Sequence, residues 1–171
     1  MTRADVLRTV AGDLDALVAA GPVSRWALVG GFALAVCGAP RSTLDIDALV
    51  EVPSGKAAEA AAALVRRGWQ LVEHARHPDD PVPELLRLTC GGVPVDLIVV
   101  HRAWEAAMLD DAEPVEWQGV TVQCLRAEAL AAMKLDAGGP QDLVDSERLT
   151  ALPAFDRERY EMWLRKLGVR P

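Results

Sequence analysis

Residues 27–47 read ALVGGFALAVCGAPRSTLDID, and this stretch decides the fold. An apolar run ends at Gly30 and Gly31, and the short apolar segment that follows predicts a helix. A loop then leads into a predicted strand over residues 44–50, which carries aspartates at positions 45 and 47. Side chains two residues apart on a strand point to the same face, so these carboxylates are expected to project together from Cα atoms roughly 6.5–7 Å apart.

The combination of this turn and these aspartates predicts chemistry on a nucleoside triphosphate. Glycines let the backbone approach a phosphate, and the first N–H groups of a helix attract anions. We therefore expect Gly30 and Gly31 to contact the nucleotide, although glycine is also common in turns with no ligand. Carboxylate oxygens are the ligands that Mg²⁺ prefers, so Asp45 and Asp47 are candidate catalytic residues that hold Mg²⁺ or Mn²⁺.

A third candidate carboxylate interrupts the segment VPVDLIVV at residues 93–100. The apolar residues of this segment predict a strand that is covered on both faces. Asp96 must then be ion-paired, hydrogen-bonded or bound to metal, because an unpartnered buried carboxylate is costly. One alternative is a salt bridge to Arg87 on the preceding strand. We favour the other, in which Asp96 joins Asp45 and Asp47 around two metal ions, as a ligand or as the general base.

The rest of the chain predicts an α/β (α+β) fold with a small mixed sheet, helices packed on it and a C-terminal helical segment. Apolar residues recur at helical spacing over residues 5–20, and Gly21-Pro22 ends that pattern. Short strand patterns with glycine turns follow, and the last third is helical. We predict a single domain over residues 1–171, with a core at about 22–125 and a helical part at about 126–171.

Composition excludes several classes of protein. The 171 residues include 25 acidic and 18 basic side chains, a net charge of −7, which argues against a long nucleic acid as partner. No apolar run reaches the roughly 18 residues that a membrane span needs. Three cysteines with apolar neighbours are an odd number and predict free thiols in a reducing cytoplasm.

The glycine pair and the three aspartates together resemble the nucleotidyltransferase superfamily with the DNA polymerase beta-type core. That motif has Gly-Gly or Gly-Ser at a helix start, a downstream Asp-x-Asp and a third Asp on a neighbouring strand. Residues 41–47, RSTLDID, look most like the branch that contains the AbiEii-type toxins and small nucleotidyltransferases. Residues 130–135 and 138–145 resemble the helical segment of that branch, and the resemblance spans about residues 26–149.

The resemblance implies further nucleotide-binding residues: Arg41, Ser42, Thr43, Lys134 and Asp142. Each has a simpler interpretation. Arg41 and Thr43 can cap a loop, Lys134 can reach solvent along an apolar helix, and Asp142 can be a helix N-terminal acid. The branch commonly carries basic residues directly before Asp142, whereas this chain has Gly-Gly-Pro-Gln at 138–141.

The resemblance implies an Mg²⁺-dependent nucleotidyltransferase, in which a hydroxyl acceptor attacks the α-phosphate of a nucleoside triphosphate. The acceptor can be a small molecule, a protein or a tRNA, and the setting a resistance or toxin–antitoxin system with a cognate antitoxin. The alternative is a catalytically inactive nucleotide-binding module that acts through a partner protein. The three carboxylates favour the enzyme.

Overall fold

A seven-stranded mixed sheet forms the centre of the fold. The computed structural model describes residues 2–79 and 81–169. The strands are β1 (Arg25–Val29), β2 (Ile46–Glu51), β3 (Gln70–Arg76), β4 (Glu84–Cys90), β5 (Val93–Val99), β6 (Glu113–Trp117) and β7 (Val120–Cys124). Their order across the sheet is β3-β4-β5-β2-β1-β7-β6, with β2 parallel to β5 and β1 parallel to β7. The other neighbouring pairs are antiparallel, which confirms the predicted mixed sheet.

Seven helices within the described ranges surround this sheet: α1 (Arg3–Ala20), α2 (Gly30–Val36), α3 (Ala57–Arg66), α4 (Ala103–Asp110), α5 (Ala127–Ala137), α6 (Pro140–Thr150) and α7 (Arg157–Leu167). The predicted C-terminal helical segment is confirmed by α5, α6 and α7. Gly138 ends α5 in the left-handed conformation at φ +69°, and Pro140 opens α6 at its first turn. This order agrees with the preference of glycine for helix ends and of proline for helix starts.

The two faces of the sheet differ in burial, and the difference positions the site. Leu86 and Leu88 on β4, with Val95 and Leu97 on β5, are buried in the main core. On the opposite face of β5, Asp96 and Ile98 are half-buried. The expectation that β5 is covered on both faces is therefore wrong. An apolar strand pattern cannot distinguish a second packed layer from the floor of an open cleft.

The strand predicted over residues 44–50 begins two residues later, at Ile46. Asp45 consequently lies in the bend before β2 and not in the strand itself, although its carboxylate still acts on Asp47. The reason is local: the Thr43 hydroxyl donates a 2.6 Å hydrogen bond to Asp45 Oδ1, which holds these residues as a loop. Asp47 does lie in β2, as predicted.

Two expectations from composition can be compared with the described residues. No helix in the described ranges is both long enough and apolar enough to cross a bilayer. Cys37, Cys90 and Cys124 are all free thiols; Cys90 and Cys124 are buried, whereas Cys37 is half-buried.

Candidate active site

Two carboxylates lie side by side on neighbouring strands at the centre of the sheet. Asp47 on β2 is in direct register with Asp96 on the parallel strand β5, and Val29, the last residue of β1, is opposite Asp47 on the other side. Neighbouring strands are about 4.8 Å apart, so the two side chains leave the same face within reach of one another. The structure therefore brings together two of the three predicted carboxylates through strand pairing alone.

The glycine pair packs directly against this carboxylate row. Gly30 has φ +62°, a conformation that favours glycine, and an added Cβ would lie 1.9 Å from Asp47 Oδ2. A Cβ on Gly31 would lie 2.6 Å from Cβ of Thr43. Both positions thus require glycine because the turn before α2 is in close contact with side chains from the Asp-x-Asp segment. This contact ties the predicted phosphate turn to the carboxylates.

Negative charge accumulates around Asp47. Burial, followed by the nearby carboxylates of Asp45 and Asp96, raises the pKa of Asp47 from 3.8 to about 6, while Lys134 and Arg41 act in the opposite direction. The charge state of Asp47 is therefore coupled to Asp45, Asp96, Lys134 and Arg41, even where the side chains do not touch. Such a concentration of carboxylates favours the binding of a cation.

Asp96 has a partner within the chain. Nε of Arg87 donates to Asp96 Oδ1 over 3.1 Å, and Nη2 donates to Asp96 Oδ2 over 3.2 Å. Nη1 of the same guanidinium donates to Glu73 over 3.2 Å, and the hydrogen bonding to Asp96 raises the pKa of Arg87. The salt bridge that the sequence offered as an alternative is thus present. Within the described residues, no three His, Cys, Asp or Glu side chains are arranged as a ready metal cage.

A second cluster of charged side chains lies near Asp47 and is organised by a buried carboxylate. Asp145 on α6 is completely buried, and both of its oxygens accept 3.0 Å hydrogen bonds from Nε of Arg41. Gln141 Nε2 donates to Asp145 over 2.8 Å, and Lys134 Nζ lies 3.6 Å from it. Lys134 also donates to Asp142 over 2.7 Å. The two cations that act on Asp47 are therefore held by one side chain.

Asp145 was not among the sequence candidates, although it lies in the segment that resembles the family. Its three-residue spacing from Asp142 places both carboxylates on one face of α6, towards Lys134. That spacing was a usable signal. The spacing alone does not identify the role of Asp145, because its complete burial is a tertiary property.

The departure from the family pattern before Asp142 has a structural counterpart. Gln141, where the family commonly has a basic residue, supplies a neutral amide to Asp145. A Cβ on Gly139 would lie 2.8 Å from Asp142 Oδ2, so glycine there leaves room for that carboxylate beside Lys134. Ser42 is exposed, and its carbonyl oxygen accepts from Arg41 Nη1 over 2.9 Å.

A cavity of about 220 Å³ lies beside Asp47, Lys134 and Asp142. It runs between the sheet and α5 and is lined by Val29, Gly30, Asp47, Ile98, Leu130, Met133, Lys134, Ala137 and Asp142. Its walls are mostly apolar and include three charged side chains, as is typical of ligand sites. A larger cavity of about 520 Å³ lies beyond the C-terminal end of α2, between Cys37 and Phe155, and contains none of the three candidate carboxylates.

Fold and site together define a nucleotidyltransferase. Residues 13–145 match the family described as nucleotidyl transferase AbiEii toxin, type IV toxin–antitoxin system. The match covers most of the chain, and the protein belongs to this family. No curated protein sequence matches it.

Solved structures of nucleotidyltransferases share the fold at low sequence identity. The antibiotic-resistance factor ANT(2'')-Ia superposes with a TM-score of 0.63 at 17% identity, over 98% of this chain and 93% of the other. A nucleotidyltransferase-like protein of Paracoccidioides brasiliensis gives 0.53 at 18% identity, over 95% and 87%. The lincosamide antibiotic adenylyltransferase LnuA gives 0.52 at 15% identity, over 81% and 92%. At these identities the likeness establishes the fold.

The raised pKa of Asp47 generates a stability prediction for the metal-free protein. A carboxyl group whose pKa is higher in the folded than in the unfolded state does not lower the free energy of unfolding below about pH 3.8. Its destabilising effect grows between pH 3.8 and about pH 6 and is constant above that. Asp47→Asn should therefore stabilise the protein in EDTA by about 1–2 kcal/mol at pH 8, and by less at pH 5. Urea denaturation at both pH values measures this. The exposed Asp136→Asn is the control, and an equal gain for both variants would contradict the prediction.

The buried carboxylate of Asp145 generates a second prediction. Asp145→Asn leaves Arg41 and Lys134 without their shared counter-ion and should destabilise the protein by roughly 3 kcal/mol in chemical denaturation. Asp142→Asn is the matched control, because the Asp142 side chain is 28% exposed and its ion pair is with Lys134. It should cost about 1 kcal/mol or less. Equal losses for the two variants would show that Asp145 does not organise the cluster.

Proposed function

We propose that this protein transfers a nucleoside monophosphate from a nucleoside triphosphate to a hydroxyl acceptor, with Mg²⁺ or Mn²⁺ as cofactor. The observation that carries the proposal is the packing of Asp47 against Gly30 and in register with Asp96. This packing joins a turn that suits phosphate to carboxylates that suit a metal ion. Membership of a nucleotidyltransferase family supports the same reaction class.

The triphosphate is assigned to the side of Asp47 that carries Arg41 and Lys134. Guanidinium and ammonium groups bind phosphate oxygens strongly. Lys134 lines the cavity beside Asp47, and Asp145 contacts both Lys134 and Arg41. Asp145 holds both cations in place, so that little conformational entropy is lost when phosphate binds. The backbone of the Gly30–Gly31 turn can approach the same phosphates because neither residue has a side chain.

The residues present fit a divalent cation in their chemistry. Asp45, Asp47 and Asp96 offer hard carboxylate oxygens, and the raised pKa of Asp47 reflects first its burial and then the charges of the other two carboxylates. When bound, the cation would neutralise charge on the triphosphate and acidify the attacking hydroxyl. Asp45 and Asp96 would exchange part of their contacts with Thr43 and Arg87 for the metal ion.

The transfer itself needs one proton acceptor and one leaving group. The acceptor oxygen forms a bond to the α-phosphorus, the bond between that phosphorus and the bridging oxygen breaks, and pyrophosphate leaves. We assign Asp96 to take the hydroxyl proton, because it lies beside Asp47 on the neighbouring strand. Arg41 and Lys134 stabilise the charge that develops on the leaving pyrophosphate.

The proposal extends to the acceptor and to the biological setting. The family description places its members in type IV toxin–antitoxin systems, so an antitoxin is the partner that we propose for a cytoplasmic protein. ANT(2'')-Ia has been captured with adenylyl-2''-tobramycin, and LnuA with lincomycin. These two neighbours support a small-molecule acceptor, and the sequence resemblance adds proteins and tRNA as further acceptor classes.

An inactive nucleotide-binding module is the second candidate function. The observation in its favour is the Arg87–Asp96 ion pair, since a carboxylate engaged through both oxygens is less available for chemistry. Arg87 is 44% exposed, however, so this pair can exchange with a substrate without disturbing the core. Release of pyrophosphate that depends on an acceptor would exclude the inactive module.

Metal dependence of nucleotide binding tests the proposal. Titration calorimetry of ATP and GTP with excess Mg²⁺, and again with EDTA, should show at least a tenfold loss of affinity without metal. Asp47→Asn should abolish the difference, whereas the exposed Asp136→Asn should leave it unchanged. Equal affinity of the wild-type protein in Mg²⁺ and EDTA would contradict the metal-bridged site.

A further inference from the structure

Two of the three cysteines meet where helix α2 ends. Cys37 caps the C-terminus of α2, and Cys124 is the last residue of β7. The Cys37 thiol donates a 3.7 Å hydrogen bond to the carbonyl oxygen of Leu125, the residue that follows Cys124. The thiols of Cys37 and Cys124 are also hydrogen-bonded to each other. The fold therefore brings together two sulfur atoms that are far apart in the sequence.

The two thiols differ in their access to small molecules. Cys124 is buried, with 1% of its surface exposed, whereas Cys37 is half-buried. Cys37 also lines the cavity of about 520 Å³ that extends from the end of α2 to Phe155. A cavity of this size admits a molecule as small as a peroxide. Cys37 is therefore the sulfur that an oxidant reaches first, and Cys124 is in contact with it from the protein interior.

Local interactions favour the thiolate on Cys37. The hydrogen bond with Cys124 lowers the pKa of Cys37, although burial and the carboxylates of Glu128 and Glu113 act in the opposite direction. The same hydrogen bond, followed by burial, raises the pKa of Cys124. Arg126 lines the cavity as well and supplies a positive charge there. Because the thiolate is the nucleophilic form of cysteine, Cys37 is the sulfur that reacts and Cys124 is the one that keeps its proton.

We propose that Cys37 and Cys124 form a redox-modification site, which hydrogen peroxide oxidises to an intramolecular disulfide. The Cys37 thiolate attacks one peroxide oxygen, the O–O bond breaks, and the other oxygen takes up a proton and leaves as water. Cys37 is then a sulfenic acid. The Cys124 sulfur attacks the Cys37 sulfur, an S–S bond forms, and the hydroxyl group leaves with the Cys124 proton as a second water. The two thiols together lose two electrons, and a reducing thiol reverses the reaction by disulfide exchange.

The position of these thiols gives the modification a structural consequence. Helix α2 begins with the Gly30–Gly31 turn, which packs against Asp47 and Thr43, and it ends at Cys37. The disulfide would join the C-terminal end of this short helix covalently to β7. In a reducing compartment such a bond is transient, as is typical of redox sensing. The inference does not depend on nucleotidyl transfer, because it rests on the two thiols and the cavity beside them.

Cys90 provides a control within the same chain. It is buried at the end of β4, and burial followed by the charge of Asp13 raises its pKa. Strands β5, β2 and β1 separate β4 from β7 in the sheet, a distance of roughly 19 Å at the usual strand spacing. The Cys90 thiol therefore has neither the access nor the partner that Cys37 has.

Peptide mapping after oxidation tests the proposal. The fully reduced protein is treated with hydrogen peroxide, the remaining thiols are alkylated in denaturant, and the digest is analysed by mass spectrometry without reductant. We expect a Cys37–Cys124 linked peptide as the main product, and at least tenfold faster oxidation of Cys37 than of Cys90. Cys124→Ser should stop at the sulfenic acid, which dimedone captures on Cys37. Cys90→Ser should form the same disulfide as the wild-type protein.

Three results would overturn the proposal. Oxidation of Cys37 and Cys90 at equal rates would show that the site is not selective. Wild-type protein that stops at the sulfenic acid, or forms disulfides only between molecules on a non-reducing gel, would show that Cys124 is not the partner. Oxidation of Cys124 at the wild-type rate in Cys37→Ser would show that Cys37 is not attacked first. Circular dichroism checks the fold of each variant, and the wild-type map decides the pairing even if a variant misfolds.

Discussion

The contact between the Gly30 turn and the Asp47 carboxylate is the constraint on which the rest of the site depends. A side chain at position 30 would occupy the space of Oδ2, so the β1–α2 turn and strand β2 can pack only in this way. The same packing buries Asp47 next to two other acids and raises its pKa to about 6. The protein thus holds an electrostatically unfavourable cluster in place through backbone geometry. Such clusters are typical of sites that bind a cation or do chemistry.

Basic residues from two parts of the fold lie near this cluster. In one, Asp145 holds Arg41 and Lys134 from within the helical segment. In the other, Glu73 and Asp96 hold Arg87 from within the sheet. Arg41 and Lys134 are 21% and 17% exposed, whereas Arg87 is 44% exposed and can exchange its partners more readily. The C-terminal helices supply Lys134 from α5 and Asp145 from α6.

Much of the fold and part of the site could be predicted from the sequence. The β1–turn–α2 unit, the hairpin from β4 to β5 and the C-terminal helices follow from local patterns of apolar residues, glycine and proline. The proximity of Asp47 and Asp96 could be predicted once their strands were expected to be neighbours. The exit of Asp45 from the strand could not be predicted, because it depends on a side-chain hydrogen bond from Thr43. The roles of Arg87 and Asp145 depend on register and burial, which a single sequence does not encode locally.

The central claim is that this carboxylate and glycine arrangement directs attack to the α-phosphate. Its most direct measurement compares label transfer from the four nucleoside triphosphates carrying ³²P at the α position with transfer from the same mixture labelled at the γ position. The protein is incubated with Mg²⁺ and an extract of small molecules and RNA. The account predicts that α label enters an acceptor while γ label leaves as pyrophosphate, and that Asp47→Asn prevents both. Label from the γ position in an acceptor would contradict it.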